Sequence, residues 1–307
     1  MGEGIEEQET FLHSRRAQPK KSKLRGFLDF LYDRQTGKVL GRTGLSWLEI
    51  TIFYIIFYSC LIAFWAICLA VFVATLNDKT PRYYGKGTII GINPGMGYQP
   101  WLRSDPESTL IYINVSDPKT YQKYIDALDK YLKKYKNIDD TRECTDKQTN
   151  DEEDQPACRF GLDVFDLKGC GKDRNYGYPE GKPCVVLTLN RLIGWKPVAY
   201  PEKSAPAAVK NRYNYDTGDI AVACDGEHFI DSENIGPLGY IPESGIARRY
   251  YPYRVMDNYH QPITMVKFNQ VQRGTIVLVE CKAYAYNIIH DETDRQGLIH
   301  FEVLVDS

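Results

Sequence analysis

The stretch "ITIFYIIFYSCLIAFWAICLAVFVATL", residues 50–76, decides how the rest of the chain is to be read. Its 27 residues hold no charged side chain, in a protein of which 25% of residues are charged. About 20 apolar residues cross the hydrocarbon core of a bilayer, so this run is long enough to span it with some tilt. A cleaved signal peptide has an apolar core of only about 7–15 residues and lies nearer the start. A single membrane span is therefore predicted, and a buried helix of a soluble domain is set aside on length.

Charge on either side orients the span. Residues 1–49 carry nine Lys and Arg, of which Lys20, Lys21, Lys23, Arg25, Arg34, Lys38 and Arg42 lie on the membrane side of that tail. The residues just after the span offer only Lys79, Arg82 and Lys86. The positive-inside bias puts the N-terminus in the cytoplasm and the C-terminus outside, the type II arrangement. Acylation at Gly2 is rejected because position 6 is Glu6 rather than Ser or Thr. A net charge of −2 excludes a nucleic-acid binder, which would carry a basic face.

Cysteine usage points the same way. Of eight cysteines, Cys60 and Cys68 fall inside the span and six lie beyond it, an even set suited to an oxidising compartment. Six cysteines can pair in many ways, and spacing only favours some of them. Cys144–Cys158 and Cys170–Cys184 would each close a loop of about 15 residues, and Cys224–Cys281 a longer one. The CxxC pairs of a zinc site are absent, and no metal is expected. The sequon Asn114-Val115-Ser116 also requires lumenal exposure to carry an N-linked glycan. The chain is thus expected to comprise a cytoplasmic tail (1–49), a transmembrane helix (50–76), an extracellular stalk (77–109) and a disulfide-bonded ectodomain (110–307).

Beyond the span, "YYGKGTIIGINPGMGYQP" (83–100) is rich in Gly and Pro and reads as irregular. In "SDPKTYQKYIDALDKYLKKYKN" (116–137), Asp117 can cap a helix with Pro118 in its first turn. Tyr121, Tyr124, Ile125, Leu128, Tyr131, Leu132 and Tyr135 then recur every three or four residues, one stripe of an amphipathic helix lying on the flank of a sheet. Afterwards the period becomes two: "RFGLDVF" (159–165), "CVVLTLN" (184–190), "DIAVAC" (219–224), "ITMVKF" (263–268), "TIVLVECKAYAYNI" (275–288) and "LIHFEVLV" (298–305) read as strands. Many strands with few helices suggest an antiparallel, immunoglobulin-like sandwich, in which Cys224–Cys281 could bridge two sheets. The acid-rich residues 139–154 read as a solvated loop.

Strings that imitate catalytic motifs fail on inspection. "NDKTP" (77–81) has Pro81 where the phosphorylation sequence of P-type ATPases has Gly, and it follows the span on the outer side. "GKGTIIG" (85–91) has the wrong spacing for a dinucleotide loop and follows no strand. The histidines, His13, His228, His260, His290 and His300, show no ligand spacing. No enzyme is read here.

The span carries more than an anchor needs. At about 100° per residue, Tyr54, Tyr58, Trp65 and Phe72 share one side of a helix. Ser59, Ala63, Ala66, Ala70 and Ala74 gather nearly opposite, and small residues at steps of three and four let another helix approach closely. Lateral contact with a partner helix is expected, with membrane lipid around the rest.

Five strings in order, "GRTGLSWLEITIFYIIFY" (41–58), "CRF" (158–160), "GYPEGKPCVVLTLNRLIGWKP" (177–197), "YYPY" (250–253) and "ECKAY" (280–284), resemble the β subunit family of the sodium/potassium pump over nearly the whole chain. The resemblance implies a non-catalytic plasma-membrane partner of a catalytic α subunit, which itself binds Na+, K+, Mg2+ and ATP. The β chain would have no cofactor of its own beyond the glycan at Asn114. It would help the α subunit fold and reach the surface, then tune its potassium affinity, with a small FXYD-type regulatory subunit as a further partner. The resemblance also implies the pairing Cys144–Cys158, Cys170–Cys184 and Cys224–Cys281. It implies α-subunit contacts through Tyr54, Phe57, Tyr58 and Trp65 in the membrane, and through an outer surface with Tyr250, Tyr251, Pro252 and Tyr253. The family's motif continues Tyr-Gly-Lys, where this chain has Arg254-Val255-Met256. Cys60 matches a span cysteine that relatives use for redox modification, although a small apolar residue in lipid is the simpler reading. The alternatives are the β subunit of a proton/potassium pump, a single-pass cell-adhesion ectodomain and a type II membrane enzyme such as a glycosyltransferase.

Overall fold

Thr43 starts the long helix: its backbone is extended and its hydroxyl accepts the Ser46 N–H at 3.4 Å, a capping arrangement that satisfies one free donor of the first turn. Gly41 precedes it with φ of +76°, a backbone turn that favours glycine. Together they explain the GRTG string. The computed structural model describes residues 27, 28, 30–33, 36–77, 79–88, 91–137, 139–151 and 155–307. Lys20, Lys21, Lys23, Arg25, Arg34, His13, the rejected acyl site at Gly2 and Glu6, Asp78, Ile89 and Ile90 of the imitating strings, and the acids at 152–154 lie outside them.

The chain divides into two compact units, Met1–Leu76 and Asn77–Ser307. In the first, β1 (Tyr32–Asp33) and β2 (Lys38–Val39) form an antiparallel hairpin. The indole of Trp47 donates to the Val39 carbonyl at 2.8 Å and ties that hairpin to α1 (Gly44–Ala74). Helix α1 starts ahead of residue 50, where the uncharged run begins, because the cap at Thr43 nucleates it earlier. Its 31 residues reach about 46 Å at ~1.5 Å each. No residue of α1 is buried, and among the described residues it is the one helix long and apolar enough to cross a membrane.

The second unit is β-rich. One sheet has the order β3 (Met96–Gln99), β7 (Cys184–Leu189), β10 (Ile263–Phe268), β9 (Leu238–Ile241), all antiparallel. The other has the order β4 (Leu110–Asn114), β12 (Leu298–Asp306), β11 (Ile276–Tyr284), β8 (Ala221–Gly226), with β4 parallel to β12. Both sheets contribute to one core, joined where Tyr98 stacks on Phe301 at 5.0 Å and Phe268 meets Phe301 edge-on at 6.2 Å. Strand β11 alternates, burying Val277, Val279, Cys281 and Ala283 and turning Leu278, Glu280 and Lys282 outward. Every residue of β7 is buried, Thr188 included, so both its faces are covered and burial does not alternate along it.

Helix α2 (Pro118–Leu132) carries the predicted stripe, with Tyr121, Tyr124, Ile125, Leu128 and Leu132 buried. It packs on the edge strand β4. The Tyr124 hydroxyl accepts from the Tyr112 N–H and donates to the Leu110 carbonyl, both at 3.1 Å, and the Thr120 hydroxyl serves Asn114 in the same way. An exposed strand edge is thereby closed by a helix.

Three expectations are corrected. Residues 96–99 of the presumed irregular stalk are strand β3, because Gly95 and Gly97 let the backbone run close to Asn190 and Thr188, where a Cβ would meet side-chain atoms at 2.9 and 3.2 Å. "RFGLDVF" is not a strand: after β6 (Ala157–Cys158), paired with β5 (Thr141–Arg142), the chain forms the short helix α3 (Asp163–Leu167). That turn buries Phe160 and Phe165 and sends Leu167 into solvent, whereas strand alternation would bury residues 160, 162 and 164. Finally, Cys224–Cys281 does not join two sheets. The two residues are register partners on neighbouring β8 and β11, with Cα atoms 3.9 Å apart.

Candidate functional site

Two surfaces stand out, one in each unit. On α1, Tyr54 stacks on Tyr58 at 5.9 Å, and Phe53 on Phe57 at 6.2 Å. These i,i+4 pairs make two adjacent columns of rings on one side of the helix. Phe57 thus stands in the column beside that of Tyr54 and Tyr58. Trp65 and Phe72 continue the tyrosine side and are exposed at 63% and 60%. Near the opposite side, the Ser59 hydroxyl donates to the Ile55 carbonyl at 2.7 Å, which removes its polarity from the helix surface. The result is a bulky face and a smooth face on one apolar rod.

In the second unit, Tyr250 closes the 3-10 turn Arg248–Tyr250, and Tyr251, Pro252 and Tyr253 enter the loop that follows it. The structure corrects the expectation of an exposed four-residue surface. Tyr250 and Tyr251 are 7% and 6% exposed, Pro252 is buried, and only Tyr253 is half-buried. Their rings serve the core: Tyr250 meets Phe160 at 5.1 Å, and Tyr251 meets Trp195 at 5.5 Å. Burial, and then neighbouring Tyr259, push the Tyr251 hydroxyl well above its usual value, so it stays neutral. The buried amide of Asn150 braces the loop, donating to the Tyr250 carbonyl at 3.0 Å and accepting the Cys158 N–H at 2.9 Å. The outward part is Tyr253 followed by Val255, 44% exposed, which belongs to the segment where the sequence leaves the family motif.

Sequence reasoning missed the supports of this loop. Tyr253 packs on Tyr259 at 4.8 Å, and the Arg191 guanidinium lies 5.4 Å from the Tyr253 ring centre. Arg191 and Trp195 fall inside the quoted 177–197 string, so a signal existed there; Asn150 gave none.

Asn114 ends β4, half-buried, and its side-chain oxygen accepts the N–H groups of Ser116 and Asp117 at 2.9 and 3.2 Å. The cysteines beyond α1 form Cys144–Cys158, Cys170–Cys184 and Cys224–Cys281, while Cys60 and Cys68 are free and exposed on α1. Among the described residues no three His, Cys, Asp or Glu side chains are arranged to hold a metal ion.

Comparison with known proteins gives a consistent answer. The family described as sodium/potassium ATPase beta chain matches residues 17–301. The chain is 51% identical to a probable sodium/potassium-transporting ATPase subunit beta-3 of Caenorhabditis briggsae, over 91% of this chain and 86% of that one. It is 34% identical to the sodium/potassium-transporting ATPase subunit beta-2 of Drosophila melanogaster, over 94% of each. It is 33% identical to the beta-1 subunit of Tetronarce californica, over 92% of this chain and 95% of that one.

Proposed function

Because this chain belongs to the sodium/potassium ATPase beta chain family, we propose that it works as the beta subunit of a sodium/potassium pump, with no chemistry of its own. It associates with the catalytic α subunit, assists its folding, assembly and delivery to the plasma membrane, and tunes its potassium affinity. Na+, K+, Mg2+ and ATP bind that partner. The observation that carries the reading is α1 itself: uncharged from residue 50 to its end, unburied by its own chain, and patterned with ring columns on one side. A plain lipid anchor needs no such pattern.

In this reading α1 spans the membrane once, with the N-terminus cytoplasmic and residues 77–307 extracellular. Support comes from the nine Lys and Arg before the span, the three disulfides after it and the sequon at Asn114, whose amide would carry the N-linked glycan. The extracellular body is read as an immunoglobulin-like sandwich, on the strength of its two four-stranded sheets. Tyr54, Phe57, Tyr58 and Trp65 face a helix of the α subunit. Outside the membrane Tyr253 makes the contact, with Tyr250, Tyr251 and Pro252 as its buried footing. Lipids and a small FXYD-type regulatory subunit complete the surroundings.

The test is co-expression with a sodium/potassium pump α subunit, detergent co-purification and ouabain-sensitive ATP hydrolysis. A stoichiometric, active complex is expected. A chain that reaches the surface alone while the α subunit stays inactive would overturn the reading and leave an adhesion role instead.

A further inference from the structure

Lys134, in the 3-10 turn Lys133–Lys136, and Arg191, just after β7, are both exposed and both laid over tyrosine rings. The Lys134 ammonium lies 4.0 Å from the ring centre of Tyr131 and 5.0 Å from that of Tyr135. The Arg191 guanidinium lies 5.4 Å from Tyr253 and 5.6 Å from Tyr259. All four distances fall within cation–π range. The rings thus hold two flexible cations in place, which lessens the ordering a ligand would otherwise require.

Among the described residues the pair has no counter-ion: the ion pairs engage other side chains, and neither Lys134 nor Arg191 takes part in one. The turn that carries Lys134 and the strand end that carries Arg191 are joined through Gln261, whose carbonyl accepts the Tyr135 hydroxyl at 2.6 Å and whose amide donates to the Leu189 carbonyl. Partial burial, and then the Arg191 charge, lower the Lys134 ammonium to about 8. An anion arriving from outside relieves that repulsion.

We propose that Lys134 and Arg191 form a two-pronged receptor for an acidic side chain on the outer surface of the catalytic subunit, with Tyr253 as its floor. The proposal rests on the reading that this unit docks there. Arg191 offers a planar fork for a carboxylate and Lys134 a point charge. Exposed Val255 lies two residues from Tyr253, so the site borders an apolar side chain, which fits a protein surface better than a lone phosphate.

The experiment uses the full chain co-expressed with a sodium/potassium pump catalytic subunit and captured in detergent over a range of NaCl concentrations. Lys134→Glu/Arg191→Glu is expected to reduce the retained catalytic subunit about tenfold at low salt. Lys134→Met/Arg191→Met should fall between and lose the salt dependence that the wild type shows, while Lys134→Arg should keep both. Disulfide pattern and melting temperature report whether each variant folds. If the reversed pair misfolds, the methionine pair decides: wild-type salt dependence in that variant overturns the proposal. A folded reversal variant that co-purifies like wild type overturns the receptor and leaves the docking reading intact. A wild-type chain that fails to co-purify removes the docking reading, and the receptor with it.

Discussion

The Tyr240 hydroxyl closes on the Cys224 peptide from both sides, accepting its N–H at 2.8 Å and donating to its carbonyl at 3.3 Å. Cys224 lies on β8, one edge of its sheet, and the opposite edge, β4, is closed in the same manner by Tyr124. Each tyrosine thus occupies hydrogen-bonding groups that would otherwise offer themselves to another strand.

Tyr240→Phe keeps the ring and removes the hydroxyl, leaving a backbone donor and acceptor unmet. A loss of about 1–3 kcal/mol is expected for it, and a similar one for Tyr124→Phe. Chemical denaturation of the full chain measures both. Unchanged midpoints would mean that water replaces the phenol at no cost.

Replacing Tyr54 and Tyr58 together with Leu preserves the apolar character of α1, so membrane insertion should survive. Co-purification of the α subunit should fall, because the stacked column that presents bulk and hydroxyls is gone. Undiminished capture would show that this face points to lipid.

Cys281→Ser opens a bond between residues 57 apart in sequence and leaves the β8–β11 register to backbone pairing alone. A loss of about 4 kcal/mol follows from the chain-entropy model. Cys60→Ser, in a free and exposed position on α1, should change little. Carbohydrate maturation reports exit from the endoplasmic reticulum; equal exit of the two variants would contradict the difference.

Lys134 makes a separable prediction on stability. Its ammonium is lowered from 10.5 to about 8 by burial and by Arg191, so folding disfavours the charged form. The penalty is fully present below pH 8, shrinks as pH rises from 8 to 10.5, and is absent above 10.5, where the unfolded chain is neutral too. Lys134→Met should therefore be slightly more stable than wild type at neutral pH and indistinguishable above pH 10.5. Melting curves across that range check it. A variant that gains stability while losing partner capture would separate a binding residue from a structural one.

Local patterns were the legible part of the sequence. Asp117-Pro118 followed by apolar residues three and four apart gave α2 because capping and one-sided burial act within a few residues. The strand character of β7 and the uncharged run of α1 were visible for the same reason. Which strands adjoin was not visible: Cys224 and Cys281 lie in one sheet because β11 pairs with β8, a relation no local period encodes. Nor was the depth of Tyr250 and Tyr251. An aromatic string reads equally well as surface or interior, and the buried Asn150 that draws the loop inward comes from a hundred residues earlier.

Strand β4 has consequences for the order of assembly. Its one strand partner, β12, follows it by nearly the whole length of the second unit and is the last of the described strands to leave the ribosome. Until then β4 waits, with α2 emerging directly behind it and able to fold over its outer rim. The inner rim stays open to chaperones, or to misjoining, until β12 arrives. Truncation anywhere before residue 298 should therefore trap the nascent chain in a chaperone-bound state, however intact its membrane segment.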